Sequence, residues 1–309
     1  MKRHPALLAS LLLAPLVSTG VEKAPRLPAD LKITDNITFK EAGGQKLDLM
    51  LFAPLEKKFE KSPLVVYIHG GGWGKGDRYK VLRADILNVI RELNKRGVAC
   101  ASIEYRLADG GDAKVMDSVA DCKDAVRYLV AHAAEHGLDP QRIGTFGSSA
   151  GGHLTLVTAL GNDADYPCAL PAPAADAMKI RCVAAYYPLV SFEDTELMKG
   201  SNFERPQRMI PLLGGLAKDK PELAAKLSPI KMLRAGGPAV FVAHGDADKV
   251  LSFQNAIALR EAGEKAGTPV ECIISKGADH GFGGEGISPT IPEINARTVA
   301  FFMKHLEGE

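Results

Sequence analysis

The chain has 309 residues, 46% hydrophobic and 24% charged, which suits one large α/β domain or two small domains of ordinary globular composition. Lys and Arg number 38 against 37 Asp and Glu, a formal net charge of +1, so no long-range field selects nucleic acid or an anionic membrane. Charge scattered in this way argues for a small or neutral substrate.

Taken in chain order, Met1-Lys2-Arg3-His4 is basic, residues 6–17 form a short leucine-rich apolar run, and Ser18 and Gly20 offer a small-residue cleavage site before Val21. That order predicts a signal peptide over residues 1–20, an exported (secreted or periplasmic) protein, and a mature domain over residues 21–309. The run is short and broken by Pro15, so no stable membrane insertion is expected after cleavage. Residues 21–31 read as a tether. Residues 33–39 and 46–52 alternate apolar and polar side chains around Gly43-Gly44, the pattern of an antiparallel hairpin.

Residues 64–68 and 98–103 are apolar, β-rich runs suited to buried parallel strands, and residues 81–95 between them have helical periodicity. Residues 115–135 repeat apolar side chains at Val119, Cys122, Val126, Leu129 and Val130, predicting an amphipathic helix. Further strands are expected at 142–146, 180–186, 239–243 and 270–274, and helices at 253–266 and 292–306. Residues 192–227 carry no strong strand signal and read as a small lid of short helices. The alternation implies an α/β fold with a mainly parallel sheet and helices on both faces.

The five cysteines leave at least one free thiol. Cys168 and Cys182 bracket a Pro/Ala-rich loop and are the expected disulfide pair, whereas Cys100 and Cys122 read as buried, inert thiols. No cysteine–histidine spacing resembles a zinc site, and neither metal nor organic cofactor is expected.

The chemistry concentrates at three strand ends. Gly147-Ser148-Ser149-Ala150-Gly151 follows the strand at 142–146 and opens a helical run, the sequence form of a nucleophile elbow. Only Ser149 has glycine two residues away on both sides, so Ser149 rather than Ser148 is the expected nucleophile. The strand at 239–243 runs into His244-Gly245-Asp246-Ala247-Asp248, and the strand at 270–274 leads to Gly277-Ala278-Asp279-His280-Gly281-Phe282. A serine hydroxyl needs a base to take its proton, and His280 supplies one. A carboxylate must then fix the imidazole tautomer. Asp248 is assigned that role, because Asp246 lies nearer the strand, where capping the turn is the simpler function. His244 is expected to organise the acid loop and His153 to pack.

Upstream, the strand at 64–68 ends in His69-Gly70-Gly71-Gly72-Trp73. Gly71 and Gly72, with the amide of Ala150, are the expected oxyanion-hole donors, and His69 is expected to brace the loop. Trp73, Ser148, Tyr187 and Phe282 lie beside these elements and are candidates to line the acyl or alcohol pocket.

With these residues in place, the chain resembles the α/β-hydrolase superfamily, within it the HGGG-bearing esterases, and most closely the bifunctional feruloyl and acetyl xylan esterase-like group. Lys46-Leu47-Asp48-Leu49, His69-Gly70-Gly71-Gly72-Trp73, residues 121–129, Pro211-Leu212-Leu213-Gly214-Gly215 and Leu227-Ser228-Pro229-Ile230 carry the resemblance. It implies Ser149 as nucleophile, Asp248 as acid and His280 as base. It also implies a short-chain carboxylesterase, with acetyl or feruloyl groups of xylan-like polysaccharides as substrates. One departure is Leu251, where proline often follows the valine after the acid. The rival expectations are an exported peptidase or amidase on the same fold, and a non-catalytic binding protein that keeps the fold without turnover.

Overall fold

The computed structural model describes residues 25–174 and 176–307, and the expected signal peptide lies outside them. β1 (Lys32–Ala42) and β2 (Gln45–Ala53) turn about Gly43 and Gly44, both at positive φ, and pair antiparallel. β3 (Ser62–Ile68), α1 (Ala84–Lys95), β4 (Ala99–Ile103), α2 (Val115–Ala131), β5 (Leu138–Ser148), α3 (Ala150–Leu160) and β6 (Ile180–Tyr186) then alternate strand and helix. After an excursion come β7 (Ala239–Gly245), α7 (Gln254–Ala266), β8 (Val270–Ser275) and α8 (Ile291–Leu306). The strands form one eight-stranded sheet in the order β1-β2-β4-β3-β5-β6-β7-β8. Pairing is parallel from β4 through β8, and β2 meets β4 antiparallel.

The central strands are buried on both faces, which explains their continuous apolar sequence rather than alternation. Successive side chains then serve opposite layers. Leu64, Val66 and Ile68 of β3 pack with Val119, Cys122 and Val126 of α2. Val65 and Tyr67 join α1 and the phenylalanines Phe301 and Phe302 of α8. Helix α7 covers β6 and β7 through Ala256 and Leu259, beside Leu156 and Leu160 of α3.

The excursion between β6 and β7 contains α4 (Thr195–Met198), α5 (Pro206–Leu213) and α6 (Pro221–Lys226), joined by 3₁₀ turns. Proline opens both α5 and α6, and Gly214 ends α5 in the left-handed region at φ 70°.

The expected pairing of Cys168 with Cys182 is not found, and all five cysteines are free thiols. The reason is the pleat: Cys182 points from β6 into the α1/α8 layer, whereas Cys168 packs against the α2/α3 layer on the other side of the sheet. Proximity to one Pro/Ala-rich loop says nothing about which face each thiol takes.

An ionic cluster ties the antiparallel edge to α2. Lys40 of β1 is buried and places Nζ 2.6 Å from both Asp121 Oδ1 and Asp124 Oδ2. Arg106 Nε donates to Asp121 Oδ2 at 2.7 Å, and Asp124 accepts the amides of Ala169 and Leu170. Each buried carboxylate is therefore both charge-paired and hydrogen-bonded, the condition under which such a group is tolerated.

The parallel strands end along one edge. Ile68 is in register with Gly147, Ser148 with Tyr186, and Gly245 with Ser275. The glycine loop, the elbow, the acid loop and the histidine loop all leave the sheet there, the edge at which open α/β sheets build their sites.

Candidate active site

The turn from β5 to α3 holds Ser149 at φ 56°, ψ −122°, a conformation costly for a residue with a side chain. Two features over-determine it. The Ser149 amide donates to Tyr186 O at 2.9 Å, and its carbonyl accepts the His153 amide at 3.0 Å. The turn is also too tight for flanking side chains: a Cβ at Gly147 would fall 2.2 Å from Gly151 O, and one at Gly151 would fall 2.1 Å from Ile68 O. Glycine two residues to either side is a steric requirement of this bend.

Ser149 Oγ lies 3.0 Å from His280 Nε2, and His280 Nδ1 lies 2.7 Å from Asp248 Oδ2. The Asp248 side chain is fully buried, while His280 retains 20% side-chain exposure. Burial pushes the Asp248 carboxyl up, but hydrogen bonds from His244 and His280, and the Leu251 amide, outweigh it and hold the group well below the usual carboxylate range. Its Oδ1 accepts the amides of Val250 and Leu251 at 2.8 and 2.9 Å. Leu251 thus keeps an amide that proline in its place would lack, and the acid loop closes on the carboxylate through it. Asp279 Oδ1 accepts the His280 and Lys249 amides at 2.7 and 2.9 Å, fixing the histidine loop to the acid loop. Asp246 is turned elsewhere, accepting the Gly277 amide at 2.6 Å.

His244 does more than shape its turn. Its ring is fully buried, with Nε2 3.1 Å from Asp248 Oδ2 and 3.0 Å from Leu251 O. Two imidazoles therefore share one carboxylate oxygen. Position in the chain could not disclose this, since Asp248 lies past the end of β7 in a loop whose path the sequence does not fix.

The loop after β3 lies directly against the elbow. A Cβ at Gly70 would meet Ser148 O at 2.5 Å and Ser149 Cβ at 3.2 Å, and one at Gly71 would fall 1.9 Å from Lys75 O. Gly71 and Gly72 have φ of 137° and 61°. Among the described residues, no protein group accepts the amides of Gly71, Gly72 or Ala150, the last at the start of α3 where helix donors are unpaired. His69 is buried, stacks on Tyr105 at 4.3 Å between ring centroids, and places Nδ1 3.0 Å from Gly70 O. Burial pulls its pKa down to about 4, so it serves as a neutral brace.

Two of the four expected pocket residues do not line the pocket. Trp73 is fully buried and packs edge-on against His153 and Phe203, donating through Nε1 to His153 Nδ1 at 3.2 Å. Its φ of 60° turns the side chain inward, where it anchors the glycine loop. Phe282, also at φ 60°, packs on Tyr186 and Tyr187 in the core. Ser148 and Tyr187 do face the pocket: Ser148 Oγ lies 3.3 Å from Tyr67 Oη, and the Tyr187 ring meets the His280 ring at 4.6 Å.

The pocket has a volume of about 340 Å³. Its wall includes residues that sequence reasoning did not single out: Tyr67, Lys80, Arg83, Phe203, Arg208 and Val250. None belongs to a motif, and Phe203 and Arg208 reach the site only because the excursion folds back over it. Among the described residues, no group of three or more His, Cys, Asp or Glu side chains is placed to hold a metal ion, and no helix is long and apolar enough to cross a membrane.

Known proteins are similar to this chain in sequence and fold. The chain is 29% identical over 201 residues to "Probable carboxylic ester hydrolase LipM" of Mycobacterium tuberculosis, covering 63% of this chain and 43% of LipM. It is 26% identical over 250 residues to Esterase LipC of the same organism, covering 79% of this chain and 59% of LipC. The chain thus spans about half the length of the curated relatives it matches. Among solved structures, native esterase Est2 of Thermogutta terrifontis matches with a TM-score of 0.69 at 27% identity, over 89% of this chain and 92% of that one. The same esterase phosphonylated by sarin matches with a TM-score of 0.73 at 25% identity, over 94% and 100%. The BD-FAE family pattern matches residues 47–262, a stretch that contains most of β2, the glycine loop, the elbow and the acid loop, and the chain belongs to that family.

Proposed function

We propose that the protein is a serine carboxylesterase working through an acyl-enzyme. The observation that carries this reading is the unbroken chain from Ser149 Oγ through His280 to Asp248, at 3.0 and 2.7 Å, beside a glycine loop. His280 Nε2 takes the Ser149 proton as Oγ adds to the ester carbonyl carbon, and the amides of Gly71, Gly72 and Ala150 receive the negative oxygen. The carbon–oxygen bond to the alcohol then breaks, and His280 returns the proton to the departing alkoxide. Water adds to the acyl-enzyme with His280 again as base, releasing the acid and restoring Ser149. Throughout, Asp248 remains ionised and holds Nδ1 protonated.

The size of the pocket, about 340 Å³, supports short acyl groups such as acetyl, since it lies near the lower end for small-molecule sites. Family membership and the resemblance carried by the glycine loop support acetyl or feruloyl esters of xylan-like polysaccharides as substrates. The basic and apolar start of residues 1–20 supports export. Ser149→Ala is expected to abolish hydrolysis of p-nitrophenyl acetate and labelling by a fluorophosphonate probe. Near-normal turnover by folded Ser149→Ala sinks the mechanism, and comparing acetate with ferulate release from substituted xylans tests the substrate.

A further inference from the structure

The wall of the catalytic pocket is strongly unbalanced in charge. It contains Lys80, Arg83 and Arg208, and no Asp or Glu. The negative charge of the site itself, Asp248, is buried behind His280 and hydrogen-bonded by two imidazoles. A whole-chain net charge of +1 conceals this, because the excess is local.

Two of the three cations, Lys80 and Arg208, have no carboxylate partner among the described residues. Lys80 is half-buried beside the glycine loop, its Nζ 3.2 Å from Gly70 O, and it forms no ion pair among the described residues. One carbonyl satisfies one of three ammonium donors and does not neutralise the charge. Burial, together with the positive charge of Arg83 and against the pull of Asp77, holds the Lys80 pKa below its usual value. Arg83 pairs with Asp85 at 3.0 and 3.2 Å, and its Nη2 lies 3.7 Å from where a Gly281 side chain would begin, over the histidine loop. Arg208 is exposed on α5 and forms no ion pair among the described residues. On the same wall, the buried Tyr187 hydroxyl makes no hydrogen bond of full geometry, and Arg83, Asp85 and Ser148 are the charged and polar groups that act on it. A buried hydroxyl without a partner is unusual in a core and is what a ligand acceptor would satisfy.

The geometry points to an anion subsite, formed by Lys80, Arg83, Arg208 and Tyr187 on the wall of the catalytic pocket, that selects esters whose acyl or alcohol portion carries a carboxylate. The inference rests on the carboxylesterase reading above and narrows its substrate class. A carboxylate in that position would accept from the ammonium and guanidinium groups while the scissile carbonyl faces Ser149, a charge-assisted contact in a half-enclosed site.

Two matched pairs of substrates test it in the wild-type enzyme at low ionic strength. 4-Nitrophenyl hemisuccinate against 4-nitrophenyl butyrate places the charge on the acyl side. 4-Acetoxybenzoate against its methyl ester places it on the alcohol side. The anionic member of at least one pair is expected to have roughly 10- to 100-fold higher kcat/KM, the range of a charged hydrogen bond, and about 0.5 M sodium chloride should erode the advantage. Lys80→Met is expected to lower that anionic-to-neutral ratio at least about fivefold. Lys80→Arg should largely retain it, and Arg208→Met lowers it independently. Because the ratio is taken within one variant, general damage to the glycine loop cancels. Equal or faster turnover of the neutral member in both pairs overturns the subsite, as does a ratio that survives both Lys80→Met and Arg208→Met. Failure to hydrolyse any of the four esters overturns the carboxylesterase reading instead.

Discussion

His153 offers a prediction that couples stability to the architecture of the site. Its imidazole is fully buried between Trp73 and the excursion, accepting from Trp73 Nε1 at Nδ1 and lying 2.7 Å from Leu227 O through Nε2. Both contacts suit the neutral ring with the proton on Nε2. Burial pulls its pKa down to about 4, from an ordinary value of 6.5. Between those values the unfolded chain binds a proton that the folded chain does not, so stability falls as pH drops from about 6.5 to about 4 and no further below. Integrating that difference gives a loss of about 2 kcal/mol by pH 5 and about 3 kcal/mol by pH 4, relative to pH 7. His153→Gln keeps an acceptor and a donor at this position but cannot titrate. His69, with a similarly lowered pKa, is present in both proteins and cancels from the difference. Urea unfolding followed by the fluorescence of Trp73, the single tryptophan, reads the transition beside the mutated ring. The stability gap between wild type and His153→Gln should close by about 3 kcal/mol from pH 7 to pH 4, at unchanged m-value. A gap that stays constant over that range to within about 1 kcal/mol refutes the buried neutral histidine.

Other expectations follow from the same geometry. Asp248→Asn should lower kcat on the order of 10⁴-fold, because an amide opposite Nδ1 no longer enforces the tautomer. The depressed Asp248 pKa adds stability that is present above the ordinary carboxylate range and is lost as pH falls below it, so the wild-type advantage over Asp248→Asn should shrink in acid. Gly71→Ala places a Cβ 1.9 Å from Lys75 O and should cost about 10²- to 10³-fold in kcat with a smaller change in KM; unchanged kcat would exclude this loop from transition-state binding. Asp121→Ala removes one of the two carboxylates on buried Lys40 and the acceptor of Arg106 Nε, leaving Asp124 to hold the Lys40 charge, and chemical denaturation should show a loss of about 1.5–3 kcal/mol.

Much of the arrangement is legible in the sequence because it is local. The elbow needs glycines at 147 and 151 whatever else the chain does, since the clash a side chain would meet at either position is with backbone. Strands buried on both faces announce themselves as apolar runs, and their alternation with amphipathic helices is enough for a mainly parallel sheet. In such a sheet, residues just past the strand ends converge on one edge, so the order of Ser149, Asp248 and His280 along the chain already suggests a common site.

Direction and assembly across distant segments are different matters. Trp73 and Phe282 adjoin the site in sequence but turn into the core through positive φ, a backbone choice no composition reveals. Cys168 and Cys182 take opposite layers because a strand alternates its faces with every residue. His244 reaches the Asp248 carboxylate only once the acid loop has closed on it. The cations follow the same logic: Lys80 and Arg83 come from the turns before α1, Arg208 from α5, and only the folding of the excursion over the sheet edge makes them one wall. By itself the sequence determines the sheet and the order of the reacting groups, because backbone sterics and burial are periodic along the chain. What surrounds those groups is decided by the tertiary structure, because side-chain direction and long-range packing have no period to read.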